Sequence, residues 1–230
     1  MRFIKKLLLS IICCFCFAAA FAGVTAEVSF GLGNNSTAVN GKTVYQKNIY
    51  GYYVDASCDY KAEYSSVCVF DNLDLFINDF PLGFHFACGV GFGTDLKCVV
   101  AGHSENLNDT EFSYNSFFDI GAVYAFPINK HFYVCAAPAF SMLYAESKYK
   151  EGFYSRYTID DALCFGVTSD FYFKFKYKHF IARAGCAASY YPSCDVTSAD
   201  TKYDYSDIKD VTAYNIRPYI SAGVVIGFVE

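Results

Sequence analysis

From Leu82 to Val100 every second residue is apolar, with one lapse: Leu82, Phe84, Phe86, Cys88, Val90, Phe92, then Thr94, then Leu96, Cys98 and Val100. The residues between them begin Gly83, His85, Ala87, Gly89, Gly91, Gly93, Asp95 and Lys97, all small or polar. Successive side chains of a strand point to opposite faces of its sheet. The segment therefore predicts a strand with one broad greasy face and one small, polar face. Strands in soluble sheets are usually about 5–6 residues long, and a greasy face there meets a second sheet. This alternation runs much further, and similar segments recur along the chain. The arrangement that suits both facts is a transmembrane β-barrel, apolar face to lipid and polar face to lumen.

The beginning of the chain predicts export. Arg2, Lys5 and Lys6 form a basic patch ahead of the apolar run Leu7–Ala20. Small-residue sites follow at Ala20-Phe21-Ala22 and Val24-Thr25-Ala26, so cleavage is expected after Ala22 or Ala26. Residues 1–22 (1–26 with the later site) read as a signal peptide and residues 23–230 as the barrel domain. Cys13, Cys14 and Cys16 sit inside the apolar run without the small residues of a lipoprotein site, and no lipid anchor is expected.

The chain as a whole is 54% hydrophobic, yet no further apolar run is long enough for a membrane-spanning helix. Without the signal the charge is 15 basic against 23 acidic residues, a net −8. An acidic chain argues against nucleic acid as a partner. Eight cysteines remain. Their placement on both faces reads as small apolar filler, Cys88 and Cys186 toward lipid, Cys135 and Cys164 toward the lumen. Cys58 with Cys68, or Cys98 with Cys194, are the pairs the spacing leaves open near the outer rim.

Three short connections carry turn residues or charge: Asp79-Phe80-Pro81, Pro127-Ile128-Asn129-Lys130 and Lys176-Tyr177-Lys178. The other connections are long and polar, over roughly 34–64, 102–110, 146–156 and 195–211. Short turns at one end and long loops at the other is the asymmetry of an outer-membrane barrel. The expected fold is all-β: an eight-stranded antiparallel up-and-down transmembrane barrel. Its strands are near Thr25–Gly33, Ser65–Asn78, Leu82–Val100, Glu111–Phe126, His131–Ala145, Tyr157–Phe175, His179–Tyr191 and Thr212–Val229. The aromatic stretch Ile49–Val54 leaves ten strands as the alternative. A soluble barrel would need a charged outer face, which these strands lack.

The outward residues grade along the strand axis. Phe84, Phe86, Tyr124, Phe126, Phe132, Phe171, Phe173, Phe175, Phe180 and Phe228 cluster near the short turns, and aliphatic residues such as Val90, Ile120 and Ala184 follow. Aromatics return at Phe112, Tyr114, Tyr144, Tyr157 and Tyr190, as two interfacial girdles require. Pro138 and Pro218 fall inside strands, where bulges are expected.

By the same register the lumen receives Glu27, Asp74, His85, Lys97, Asp119, Asp160, Asp170, Lys174, Arg183 and Arg217. A charge inside a membrane protein needs a partner or water. Asp74, His85, Asp119, Asp170, Arg183 and Arg217 are expected to form a lumenal polar network. A turn at Lys176-Tyr177 would set Asp170 opposite Arg183, and one at Phe80-Pro81 would bring Asp74 within diagonal reach of His85. An eight-stranded lumen is about wide enough for side chains to fill. The many small lumenal residues, among them Gly89, Gly91, Gly121, Ala137 and Gly223, keep a narrow path in view.

Signs of catalysis are thin. His103-Ser104-Glu105 are consecutive, which rarely permits triad geometry, and read as a solvated loop. Asp200, Asp204, Asp207 and Asp210 match no standard calcium loop. No catalytic residue, cofactor site or metal site is expected.

In its signal peptide, alternating strands, short turns and last strand Tyr214–Phe228, the chain resembles the small outer-membrane β-barrel family of the OmpA membrane-domain, OmpX and OmpW type. The resemblance covers nearly all of residues 23–230 and rests on pattern rather than motif. It implies a place in the bacterial outer membrane, with its lipid, periplasmic chaperones and the barrel assembly machinery as partners. That machinery commonly reads a final aromatic, whereas here Val229 and Glu230 follow Phe228. Family members include structural proteins, adhesins that bind ligands through their loops, narrow channels and a few lipid-modifying enzymes, so the resemblance leaves the role open.

Overall fold

The computed structural model describes residues 23–49, 52–77, 80–100, 103–106, 110–151, 156–200 and 206–227. All its regular elements are strands: Val24–Ile49 (β1), Tyr52–Ile77 (β2), Leu82–Val100 (β3), His103–Asn106 (β4), Thr110–Pro127 (β5), Phe132–Glu151 (β6), Arg156–Tyr177 (β7), Phe180–Asp200 (β8) and Ser206–Ile226 (β9). Consecutive long strands pair antiparallel, and β9 pairs back onto β1. The short β4 only doubles the end of β3. The barrel is therefore closed by eight strands, up and down, as the alternation predicts.

The ten-strand alternative fails for a simple reason. Residues 34–64, expected as a polar loop, extend β1 and β2 as one continuous ladder that runs to Ile49↔Tyr52. The other supposed loops are also partly strand, because β6–β7 pair to Glu151↔Arg156 and β7–β8 to Thr158↔Asp200. Polar alternation in water forms a two-sided solvated ribbon, which reads as loop in a search for apolar faces. The signal-peptide reading, residues 1–22, lies outside the described residues, as does Phe228.

The two faces separate cleanly. Outward side chains include Phe140, Phe173 and Ile220 at 74%, 66% and 66% exposure, values that only an apolar surrounding makes tolerable. Phe84, Tyr124, Phe126, Phe132, Phe171 and Phe180 are exposed near the short turns, and Tyr190 and Tyr214 near the other end. From Phe126 up to Tyr114, β5 spans about 40 Å of chain, or roughly 30 Å of height at the usual barrel tilt. That is the hydrocarbon thickness of a bilayer. At Tyr214 the ladder level on β1 is Ala38, and β1 continues to Ile49, about 35 Å further.

Above the girdle the wall divides. β8 and β9 last pair at Tyr191↔Ala213, after which β8 follows β7 and β9 follows β1. β3 and β5 part above Gly93↔Ser113. Two sheets thus rise from one barrel: β9-β1-β2-β3-β4 and β5-β6-β7-β8.

Register details correct three expectations. Neither Pro138 nor Pro218 makes a bulge. The ladder lapses beside each, between Gly121↔Ala139 and Tyr124↔Ala136 and between Gly33↔Tyr219 and Ser36↔Ile216, and resumes in unchanged register. A missing N–H costs a bond without requiring an extra residue. A bulge does occur between Phe165↔Ser193 and Val167↔Tyr190, next to Pro192. One extra residue flips the following side chains to the other face. Cys194 is thereby carried onto Cys164, and the two form a disulfide. Cys164 is thus no free filler, and Cys98 does not pair with Cys194. Cys58 and Cys68 lie ten residues apart on β2, roughly 33 Å of strand, far beyond disulfide reach. Cys68, Cys88, Cys135 and Cys186 are free. Replacing Cys164 with Ser is expected to cost about 2–4 kcal/mol, measurable as a lower urea midpoint under oxidising conditions and no change under reducing ones.

Candidate functional site: the lumenal polar column

The six residues expected to share the lumen are all buried there, each at 3% exposure or less. The short Ile77–Leu82 connection, held by Phe80 N–H donating to Ile77 O, sets Asp74 directly opposite His85 rather than diagonal to it. His85 Nδ1 lies 2.7 Å from Asp74 Oδ1. Arg183 Nη2 lies 3.0 Å from Asp74 Oδ2, and Tyr172 Oη donates to the same oxygen at 2.6 Å.

Arg183 does not pair with Asp170. The β7–β8 turn is centred on Lys178-His179, with Lys178 at a φ of 51°, so Tyr177 faces Phe180 and Lys174 faces Arg183. Asp170 then stands opposite Ala187. The charges of Lys176 and Lys178 suggest an earlier turn, but Lys176 belongs to the strand, its N–H donating to His131 O at 2.8 Å. Asp170 instead accepts a hydrogen bond from Tyr219 Oη at 2.7 Å.

Two residues placed in the lumen by register prove central. Glu27 receives Lys174 Nζ at 2.7 Å and stands 3.5 Å from both Lys176 Nζ and Arg183 Nη2. Lys174 also sits over the Phe76 and Tyr133 rings, at 4.7 and 5.0 Å. Further up, Arg217 Nη2 lies 2.8 Å from Asp119 Oδ2, while Ser141 Oγ donates to Asp119 Oδ1 at 2.5 Å and lies 2.9 Å from Tyr191 Oη. A neutral layer crowns the column: Asn35 donates to Asn115, and Asn115 to Ser66. The side chains of Lys97 and Asp160 lie outside the described residues, as do those of His103, Ser104, Glu105, Asp200, Asp204 and Asp207.

Three of the four described lumenal acids are ion-paired: Glu27 with Lys174 and Lys176, Asp74 with Arg183, and Asp119 with Arg217, while Asp170 is held by the Tyr219 hydroxyl. Pairing of this kind is what makes buried charge tolerable, since an unpaired one costs several kcal/mol. Sequence reading missed Tyr172, Tyr219, Ser141 and Tyr191 as members of the column. Their even or odd positions on the strands mark them as inward, but tyrosine in such a chain reads first as girdle.

Large aromatic rings stand against several of the small lumenal residues. The Phe117 ring lies under the Arg217 guanidinium at 3.4 Å. Phe70 packs edge-on to Tyr219 at 5.0 Å and tilted against Phe117 at 6.3 Å. A Cβ at Gly31 would strike the Phe70 ring, and one at Gly89 would lie 2.5 Å from Phe70 Cβ and 2.7 Å from the Phe117 ring. These glycines are receptacles for rings. Below this layer, at the short-turn end, a cavity of about 580 Å³ is lined by Glu27, Phe76, Phe80, Tyr133, Lys174 and Lys176, among others. Among the described residues no group of three or more His, Cys, Asp and Glu side chains is placed to hold a metal ion.

No protein-family model matches the chain. No curated protein matches it either. Solved structures do. The outer membrane protein OprG from Pseudomonas aeruginosa aligns at 9% identity and a TM-score of 0.50, over 87% of this chain and 96% of that one. Neisserial surface protein A aligns at 12% identity and 0.48, over 90% and 97%. A major outer membrane protein from Thermus thermophilus aligns at 10% and 0.47, over 87% and 98%. Identities this low speak to the fold and to nothing finer. Closed by eight antiparallel strands, apolar without and charged within, the chain has the fold of the small outer-membrane β-barrels.

Proposed function

We propose that this protein is an outer-membrane barrel whose lumen is a filled strut and whose work is done by the sheets above the membrane, as a surface-interaction protein. The observation that carries the reading is the packed column. Paired charges and the Phe70, Phe117 and Tyr219 rings occupy the space that a channel would need. A rigid plugged base suits a protein that presents something outside. The candidates are the tyrosine-rich stretches 45–64, with Tyr45, Tyr50, Tyr52, Tyr53, Tyr60 and Tyr64, and 149–157, with Tyr149, Tyr154 and Tyr157. On this reading the protein is not an enzyme and needs no cofactor. Residues 1–22 direct its export, and periplasmic chaperones and the barrel assembly machinery insert it.

A second reading, a narrow route for small or hydrophobic solutes, draws on the cavity at the short-turn end. It requires the Arg217–Phe117 layer to move aside.

Planar-bilayer recording separates the two. The refolded protein is expected to insert and stay silent. It should also bind an extracellular ligand or cell surface, and trimming β1 and β2 back to Ala38 and Ala62 should abolish that binding. Reproducible openings in the unmodified protein would replace this reading with the second.

A further inference from the structure

The lipid-facing surface holds one residue that does not belong in lipid. On β2 the inward side chains are Ser66, Cys68, Phe70, Asn72, Asp74 and Phe76, so Asp71 points outward and is exposed. It lies six residues above Ile77, about 20 Å along the strand or roughly 15 Å of height. That places it near the middle of an apolar band about 25 Å tall. Among the described outward residues between the two girdles, Asp71 alone carries a charge; Asn34, Ser36, Ser116 and Ser169 are merely polar. Its register neighbours are Phe30 on β1 and Cys88 on β3, and Val69 and Leu73 flank it on its own strand. None supplies a cation.

A carboxyl at mid-bilayer is costly, and such residues pair or mark an interface. We propose that Asp71 is the centre of a two-fold interface between two copies of this chain within the membrane. The occupant follows from complementarity. Among the described residues the outward belt offers no lysine or arginine to a carboxyl, so a copy docking by any other patch would bring Asp71 no cation. A two-fold axis beside β2 instead brings Asp71 to Asp71. Two carboxyl groups that share a proton hydrogen-bond each other, and neither then faces hydrocarbon alone. In such an isologous interface each residue meets its own counterpart or a reciprocal partner. Cys88, which is opposite Asp71 in the β2–β3 ladder and free, comes to the rim of the same interface. Phe30, Val69 and Val90 supply its apolar surround.

The test uses the full barrel in phosphatidylcholine vesicles, with donor- and acceptor-labelled copies and energy transfer followed against protein-to-lipid ratio. The unmodified protein is expected to dimerise. Asp71→Leu, which puts an apolar residue on an apolar face and leaves the fold intact, should associate roughly five- to thirty-fold more weakly. Asp71→Asn keeps a donor and an acceptor and should retain the dimer. A short bis-maleimide should link Cys88 to Cys88 in the unmodified protein and fail in Asp71→Leu. A wild type that stays monomeric at every ratio overturns the proposal, including where it captures some other protein or lipid at Asp71. So does an Asp71→Leu variant that dimerises as well as the wild type.

Discussion

Replacing Arg183 with Met should destabilise the barrel by about 3–5 kcal/mol, the usual effect of stripping one partner from a buried ion pair. Arg183 holds two carboxylates at once, Asp74 at 3.0 Å and Glu27 at 3.5 Å, and its guanidinium lies over the Tyr172 ring at 5.2 Å. Without it Asp74 keeps His85 and Tyr172, but Glu27 and Asp74 lose the cation between them. Urea unfolding in lipid vesicles, followed by circular dichroism, reads the loss. Adding Asp74→Asn to Arg183→Met should recover part of it, because the orphaned charge goes too. A single variant within about 1 kcal/mol of the wild type would mean that water, not Arg183, answers these carboxylates.

Phe117→Ala is the second large effect, and it should change function along with stability. The ring fills the lumen under Arg217 at 3.4 Å, leans on Phe70 and faces Gly89 across the β3–β5 ladder. Removing a buried phenylalanine costs about 3–5 kcal/mol, and the lost face for a desolvated guanidinium adds to it. Gly89 has no side chain to refill the gap. The variant should therefore show small conductance steps in a planar bilayer where the unmodified protein shows none. Silence in the variant would place the seal elsewhere in the column, at the Glu27–Lys174–Arg183 layer.

Much of this architecture is visible in the order of residues, because strand alternation is a local signal. Which face Asp119 or Arg217 occupies depends only on parity, and parity survives small errors. The β7–β8 turn shows the limit. Placing it at Lys176-Tyr177 rather than Lys178-His179 shifts the pairing by four residues. Every face stays the same, yet Arg183 receives the wrong partner. The Asp74–His85 pair was readable because one short turn sets it. Glu27 with Lys174 was not, since those residues sit 147 positions apart and meet only through the stagger of a closed barrel. The Cys164–Cys194 bond was hidden by a single inserted residue beside Pro192. Asp71 went unread, although its place on the lipid face follows from Asp74 by parity alone.

The pairing of β9 with β1 has a consequence for how the molecule comes into being. The ladder from Ala26↔Ile226 to Asn40↔Thr212 unites the earliest and latest strands in synthesis. Until β9 exists, both β1 and β8 present bare backbone, an invitation to aggregate. Pairings of such long sequence separation also form slowly. The barrel consequently cannot close until synthesis has passed Ile226. Closure is then an all-or-nothing event that seals both edges at once and draws the Glu27, Arg183 and Arg217 charges together in the same step.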